Sequence, residues 1–458
     1  MTAQSSAAYA RPDFAESHNH TPNPEKSNAL DNGSSASKPG VFDGIRVVDL
    51  THNLNGPYST KLMADMGAEV IKIEMPGGGD FGRGLGHNTP GMGGYFMWRN
   101  PGKHSMSIDL SKPEGIAIVK DLVAISDVVI DNRKAGAMDR LGIGYDALRE
   151  IKPDIIVASA SGFGAYGPLS HLPGGDLVIQ AYSGSLWLTG PREQPMPPWV
   201  PWIDFATGTH TFGAISAALY RRAMTGEGEF IDISMLDCAF TFHDFPLEEY
   251  VLSDGEVERT RQGQTHPKLV PMGVWAVKDG AVVISGAHPN SWINLCTLMG
   301  KEEWKEWADG DTRTAHIEEI TQALADFLAL LTKEEALALL AEAGVHSPPI
   351  LSVADIANHP HVEARELLVE VPHPVTGEPV KVQNSPIKMR NTHIRPRGPA
   401  PLLGQHNEEV LTNVLDYDPA RVEALWSEGV LYAEPAAAPA GRTVQPPTVS
   451  GLASVSRS

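Results

Sequence analysis

The stretch FDGIRVVDLTHNLNGPYSTKLMADMGAEVIKIE, residues 42–74, decides the fold. IRVVDL (45–50) is a short, nearly continuous apolar run, the mark of a strand buried on both faces. STKLMADMG (59–67) has helical spacing and closes on Gly67, a favoured helix stop. AEVIKIE (68–74) is a second strand, so the order is β-α-β. The alternation continues downstream. PEGIAIVKDLVAIS (113–126) reads as a helix with Pro113 in its first turn, DVVIDN (127–132) as a strand, 144–151 as a helix and DIIVASAS (154–161) as a strand. TFGAISAALYRRAMTG (211–226) is a long amphipathic helix leading into the strand EFIDISML. This rhythm predicts an α/β protein with a mostly parallel sheet and helices on both of its faces.

Beyond about residue 240 the pattern changes. GVWAVKDGAVVISG (273–286) predicts a hairpin turning at Asp279-Gly280. HIEEITQALADFLALL (316–331) and TKEEALALLAEAG (332–344) predict two helices, the second opened by Thr332 and closed by Gly344. These elements make a second, smaller α+β domain. Residues 1–40 and 433–458 are rich in Ser, Ala, Asn, Pro and Thr without apolar periodicity, and are expected to be a disordered leader and tail.

The chain has 458 residues, with 36 basic against 56 acidic side chains and a net charge of −20. So acidic a protein does not suit nucleic acid or an anionic membrane surface, both of which demand a basic field. No run of 18 apolar residues exists to span a bilayer. Cys238 and Cys296 cannot frame a disulfide scaffold and have no metal-ligand spacing, so a reducing cytoplasm and no metal centre are expected. Against this acidity, residues 81–140 hold Arg83, Arg99, Lys103, Lys112, Lys120, Arg133, Lys134 and Arg140 against six acids. That local excess is either a place for a bound phosphate group or a solvated face of scattered charges.

Motifs narrow the chemistry. GFGAYG (162–167) matches G-x-G-x-x-G after a strand, but Pro168 and a loop follow, so no helix N-terminus meets a pyrophosphate and a structural turn is the better reading. There is no G-x-S-x-G, no P-loop and no H-E-x-x-H. Asp204, in PWIDFATGTHTFGAISAALY, precedes a small-residue turn and a long helix. Its pattern alone favours a helix cap. Alternatively, nearby amides and the helix dipole would keep it ionised and aimed, as a carboxylate nucleophile needs. Trp98, Trp187, Trp199 and Trp202 fall in nearby segments, where they either pack a core or line a site for an apolar or cationic acyl group.

Six collinear blocks carry a resemblance. They are residues 42–80 ending in MPGGGD, MDRLGIGYDALREIKPDIIVASASGFGAYGP (138–168), PGGDLVIQAYSG (173–184), the Asp204 segment with TGEGEFIDISMLD (225–237), GVHSPPILSVADIANHPHVEAR (344–365) and PAPLLGQHNEEVL (399–411). Together they resemble the class III coenzyme A transferases, or CaiB/BaiF family, whose members include formyl-CoA:oxalate CoA-transferase-like proteins. The resemblance implies that Asp204 is the nucleophile of an acyl-CoA:carboxylate CoA-transferase, working through mixed anhydride and aspartyl-CoA thioester intermediates. It implies acyl-CoA and a carboxylic acid as partners, with coenzyme A as substrate and no permanently bound cofactor.

His52 and Asn55 match the loop lining the family's site, and Arg83, Lys103, Asn132, Lys134 and Arg140 match positions on the CoA side, with Lys134 in place of an arginine. Asp176, in PGGD, matches a second acid that orients substrate. Gly175 stands where the family's racemases carry a histidine, so an acyl-CoA racemase or isomerase is the lesser reading, and a non-catalytic CoA-binding protein a third. The implied fold is a Rossmann-like large domain built from both chain ends (41–235 and 384–432), linkers at 236–262 and 366–383, and a small domain at 263–365. Its open ring interlocks with a second copy as a homodimer.

Overall fold

The computed structural model describes residues 39–266, 268–285 and 288–435, so most of the expected leader and tail lies outside the described residues. A six-stranded sheet forms the centre. Its strands are β1 (Arg46–Asp49), β2 (Glu69–Glu74), β3 (His104–Ser107), β4 (Val128–Asp131), β5 (Ile156–Ser161) and β6 (Glu229–Ser234). Every neighbouring pair is parallel, in the spatial order β3-β2-β1-β4-β5-β6. The order reverses between β1 and β4. In sheets of this kind ligands bind beyond the carboxyl ends of the strands at that reversal.

Period-two alternation divides the apolar side chains between two cores. Val48, Ile71, Val129 and Val157 face α2 (Pro113–Ala124 in this numbering), following α1 (Asn55–Asp65), and meet Ile118 and Leu122. Val47, Val70, Val128 and Ile156 face the other way, toward Met63 of α1 and Ile215 of a long helix described below. The chain's far end completes the first core with Val410, Leu411, Val422 and Leu425. Leu431 bridges Ile108 just past β3, and Asn407 accepts from the Ser107 amide at 2.9 Å and donates to the Tyr432 carbonyl at 2.8 Å. Ala433 is buried and the Glu434 amide donates to the Leu403 carbonyl at 3.1 Å, so ordered contacts run past residue 432.

A separate core gathers Trp275, Trp292, Trp304, Ile320, Leu324 and Leu340 between residues 270 and 345. Its second long helix, Lys333–Glu342, opens with Thr332 and Glu335 in a reciprocal capping box. The hairpin in this core turns at Lys278-Asp279, one residue earlier than expected, because Gly280 pairs with Val277. That register sets Trp275 opposite Val282 with both fully buried, and burial outranks local turn preference.

Two stretches read as linkers are structured. Residues 236–262 carry the helices Met235–Thr241 and Phe245–Leu252, and Met235 and Ala239 pack on Phe163, Ile179 and Ile203. Residues 366–383 form an antiparallel hairpin, Leu368–Pro372 with Pro379–Gln383. Its Val371 and Val382 pack on Met92, Phe96 and Leu402, a small apolar layer that alternate valines make possible. Among the described residues no helix is long and apolar enough to cross a membrane.

Candidate active site

The strand ends at the reversal point build a cavity of about 260 Å3. The loop after β1 contributes His52, Asn53 and Asn55, the turn after β4 Asn132, Arg133 and Lys134, and the loop after β5 Gly162 and Phe163. Gly162 and Gly174 meet backbone to backbone: a Cβ on Gly162 would lie 2.5 Å from the Gly174 Cα. The first glycine of GFGAYG therefore serves close loop packing on the cavity wall. A larger opening of about 750 Å3 lies between 189–198 and 318–322, but its ion pair, Arg192 with Glu318 at 3.8 Å, is exposed. Chemistry that needs a desolvated group points to the smaller cavity.

Asp204 belongs to that cavity and is 8 % exposed. It does not precede a turn, as the small residues after it suggested. It is the third residue of a helix, Trp202–Thr225, that runs through them without a break. The residues are small because helices cross there. A Cβ on Gly208 would fall 2.5 Å from the Asn55 carbonyl oxygen, so only glycine lets this helix touch the start of α1. The crossing brings the Asn55 backbone amide to the Asp204 carboxyl, where it donates.

Asp176 opens the short helix Asp176–Tyr182, and its Oδ2 accepts the backbone amides of Ile203 (2.9 Å) and Asp204 (3.2 Å), while Gln180 donates to Oδ1. The amides at the start of the long helix thus serve Asp176. The expectation that they would hold Asp204 ionised fails. Burial first, and the Asp176 carboxylate second, push the Asp204 carboxyl up to about 7, against the pull of the Asn55 amide.

Asn132 ties the β1 loop to the end of β4. Its Oδ1 accepts the His52 amide at 2.9 Å, and its Nδ2 donates to the His52 carbonyl and to Asn55 Oδ1, both at 2.7 Å. Across the loop, Asp80 Oδ1 accepts the amide of Asn53 at 2.8 Å, where φ is 69°. Lys72 holds Asp80 Oδ2 at 3.0 Å and the Thr51 carbonyl at 2.6 Å. His52 is kept below its usual pKa by burial, and so is neutral near pH 7.

Of the residues singled out from sequence, His52, Asn55, Asn132, Lys134 and Asp204 share the cavity, with Asp176 against the Asp204 backbone. Three do not. Lys103 is 3 % exposed, and its Nζ donates to Asp49 (3.0 Å), Thr60 (2.7 Å), Asn100 (2.8 Å) and the Pro57 carbonyl (3.1 Å). Burial lowers it to about 8, against the attraction of Asp49. Arg83 grips both Glu74 oxygens at 2.7 Å and stacks over Phe96. Arg140, exposed at the end of the short helix Ala137–Arg140, is outside the cavity lining.

Two cations of the basic excess in 81–140, Arg83 and Lys103, are therefore engaged in the fold, because a cation's type and spacing do not reveal whether a buried acid already holds it. Nor do the four tryptophans form a cluster: Trp98 packs beside Phe96, Trp187 and Trp199 are exposed, and Trp202 packs beside Ile203. Arg133, singled out from sequence only as one of the basic residues of 81–140, lines the cavity. The signal available was its adjacency to Asn132 and Lys134. Among the described residues no group of three or more His, Cys, Asp and Glu side chains is arranged to hold a metal.

The family model described as CoA-transferase family III matches residues 42–407. The chain is 34 % identical over 399 residues to the succinyl-CoA:glutarate CoA-transferase of Mus musculus, covering 85 % of this chain and 90 % of that protein. It is 37 % identical over 386 residues to the succinyl-CoA:mesaconate CoA-transferase of Haloarcula hispanica, covering 81 % and 96 %. The crystal structure of a CaiB/BaiF family protein from Brucella suis superposes with a TM-score of 0.72 at 32 % identity, covering 82 % of this chain and all of that one.

Proposed function

The chain belongs to CoA-transferase family III, a family of transferases of the EC 2.8.3 type, and from that premise we propose that it exchanges coenzyme A between a donor acyl-CoA and an acceptor carboxylic acid on Asp204. The observation that carries the role of Asp204 is its position: a nearly buried carboxylate in the cavity at the reversal point, addressed by the Asn55 amide. The ionised carboxylate attacks the donor thioester carbonyl, the C–S bond breaks, and CoA leaves as thiolate from a mixed anhydride. The thiolate then attacks the aspartyl carbonyl, and the donor acid leaves as carboxylate from an aspartyl-CoA thioester. The acceptor carboxylate attacks that thioester, regenerating an anhydride and thiolate, and the thiolate takes the acceptor's acyl group. Each step exchanges one leaving group for one nucleophile, so no net proton moves.

A buried carboxylate suits this sequence. Desolvation raises its reactivity as well as its pKa, and a small cavity limits the water that would hydrolyse the intermediates. The Asn55 amide, fixed by Asn132 and by the Lys72–Asp80 pair, can donate to the oxyanion that forms when the aspartyl carbonyl is attacked. The acids named for the relatives, succinate, glutarate and mesaconate, each carry two carboxylates. We take a short dicarboxylic acid as the acceptor here, and Lys134, exposed at the cavity's edge, as a contact for CoA phosphate. We also take the working unit to be a homodimer, because Tyr182, Trp187, Trp199, Val200, Phe242 and Leu252 are at least half exposed in the single chain.

Incubation with acyl-CoA followed by hydroxylamine tests the mechanism. The Asp204 peptide is expected to carry a hydroxamate; trapping at another residue, or full transfer by Asp204→Ala, rejects it. His52 in the same cavity, held neutral, favours one second reading, α-proton exchange between a neutral imidazole and Asp204. Loss of α-deuterium from labelled acyl-CoA without any acceptor acid would establish that reading instead.

A further inference from the structure

Besides Asp204, three side chains in the cavity can bear charge: His52, Arg133 and Lys134. Burial keeps His52 neutral, and Lys134 is exposed. Arg133 is half-buried, and among the described residues its guanidinium makes one hydrogen-bond contact, Nη1 to the Met138 thioether at 3.6 Å. Other arginines of comparable burial are occupied. Arg83 holds Glu74 and Arg222 holds Asp127, each at 2.7 Å. Asp131 is the acid nearest in charge to Arg133, but its Oδ1 accepts the Arg133 backbone amide at 3.0 Å, and among the described residues no carboxylate lies within ion-pairing distance of the guanidinium. The fork thus keeps donors free for an anion.

Position and volume define that anion. Arg133 lines the same cavity as Asp204, and among the described residues no ion pair joins the two. At roughly 30 Å3 per water, 260 Å3 admits the equivalent of about nine waters, room for a small acid rather than a long acyl chain. We propose that Arg133 receives the distal carboxylate of a short dicarboxylic acid whose other carboxyl is exchanged on Asp204, and so selects diacids over monoacids of equal length. The planar fork meets a carboxylate through two parallel hydrogen bonds. The assignment rests on the CoA-transfer reading above.

The test compares the full-length protein with Arg133→Gln, using acetyl-CoA as donor and two acceptor pairs, butanedioate against butanoate and pentanedioate against pentanoate. Losing a charge-assisted contact is expected to raise the KM for each diacid, relative to its monoacid, by about 10- to 100-fold, with Arg133→Lys recovering part of the loss. An equal rise for both acids, a rise in the KM for acetyl-CoA as loss of a phosphate contact would give, or no change would each overturn the proposal. Calorimetric binding of pentanedioate to the same proteins reads the contact without turnover. Weaker binding by Arg133→Gln upholds the site even if no transfer occurs, whereas hydroxylamine trapping at Asp204 judges the transfer chemistry separately. Undiminished binding by the variant overturns the site.

Discussion

Replacing Asp204 with asparagine should stabilise the protein, and by an amount that grows with pH. The folded carboxyl titrates at about 7 and an unperturbed aspartate at 3.8. Because the folded value is the higher one, folding takes up a proton between about pH 4 and 7, and the stability this contributes is lost as pH rises through that window. At 1.36 kcal/mol per unit, the ionised carboxylate costs the folded state about 4 kcal/mol once the pH is above 7. At pH 5 the same arithmetic gives about 1 to 2 kcal/mol, since the folded group is then protonated. Asparagine has nearly the same shape and no titration, so whatever it costs in hydrogen bonding is constant with pH. The advantage of Asp204→Asn in urea unfolding should therefore grow by about 2 to 3 kcal/mol between pH 5 and 8 and then level off. A difference that is flat with pH, or that shrinks as pH rises, would refute the reasoning.

Asp176→Asn removes the second cause of the raised Asp204 pKa, so the pH midpoint for forming the Asp204 adduct should fall below that of the wild type while burial keeps it above 3.8; pre-steady-state acylation measured against pH checks this. Lys103→Met strips the counter-charge from buried Asp49 and should cost about 3 to 5 kcal/mol in denaturant unfolding. A normal unfolding midpoint with a raised KM for acyl-CoA would restore Lys103 to the CoA side. Gly208→Val drives a side chain into the Asn55 carbonyl and should destabilise by about 1 to 3 kcal/mol. It should also slow acylation, read by stopped-flow, because the Asn55 amide moves with the helix crossing.

The parallel sheet was legible because strands buried on both faces are short apolar runs that helical segments separate, as in 45–50, 127–132 and 154–161. The resemblance carried Asp204, His52, Asn55, Asn132 and Lys134 to positions that the fold does bring together around one cavity. Illegible were features set by contacts distant in sequence. Gly208 and its small neighbours looked like a turn because their partner, Asn55, lies on another helix. Lys103 and Arg83 looked like ligands for phosphate because Asp49 and Glu74, which hold them, are brought near only by the sheet. The raised pKa of Asp204 was hidden for the same reason: the helix amides that should have lowered it are taken by Asp176, 28 residues earlier in the chain. The hairpin at 368–383 was hidden because its two short strands bury only alternate valines.

The anhydride route makes a prediction about atoms that no other use of the cavity makes. When the acceptor acid carries heavy oxygen in its carboxylate, the final thiolate attack must leave one of those oxygens on the aspartyl side. After a single turnover with labelled acceptor, mass spectrometry of the peptide containing Asp204 should show one heavy oxygen in that side chain, and a second turnover with unlabelled donor should pass part of it to the released donor acid. Heavy oxygen that stays confined to the acceptor's own acyl-CoA and free acid, with Asp204 unlabelled, would contradict nucleophilic attack by Asp204.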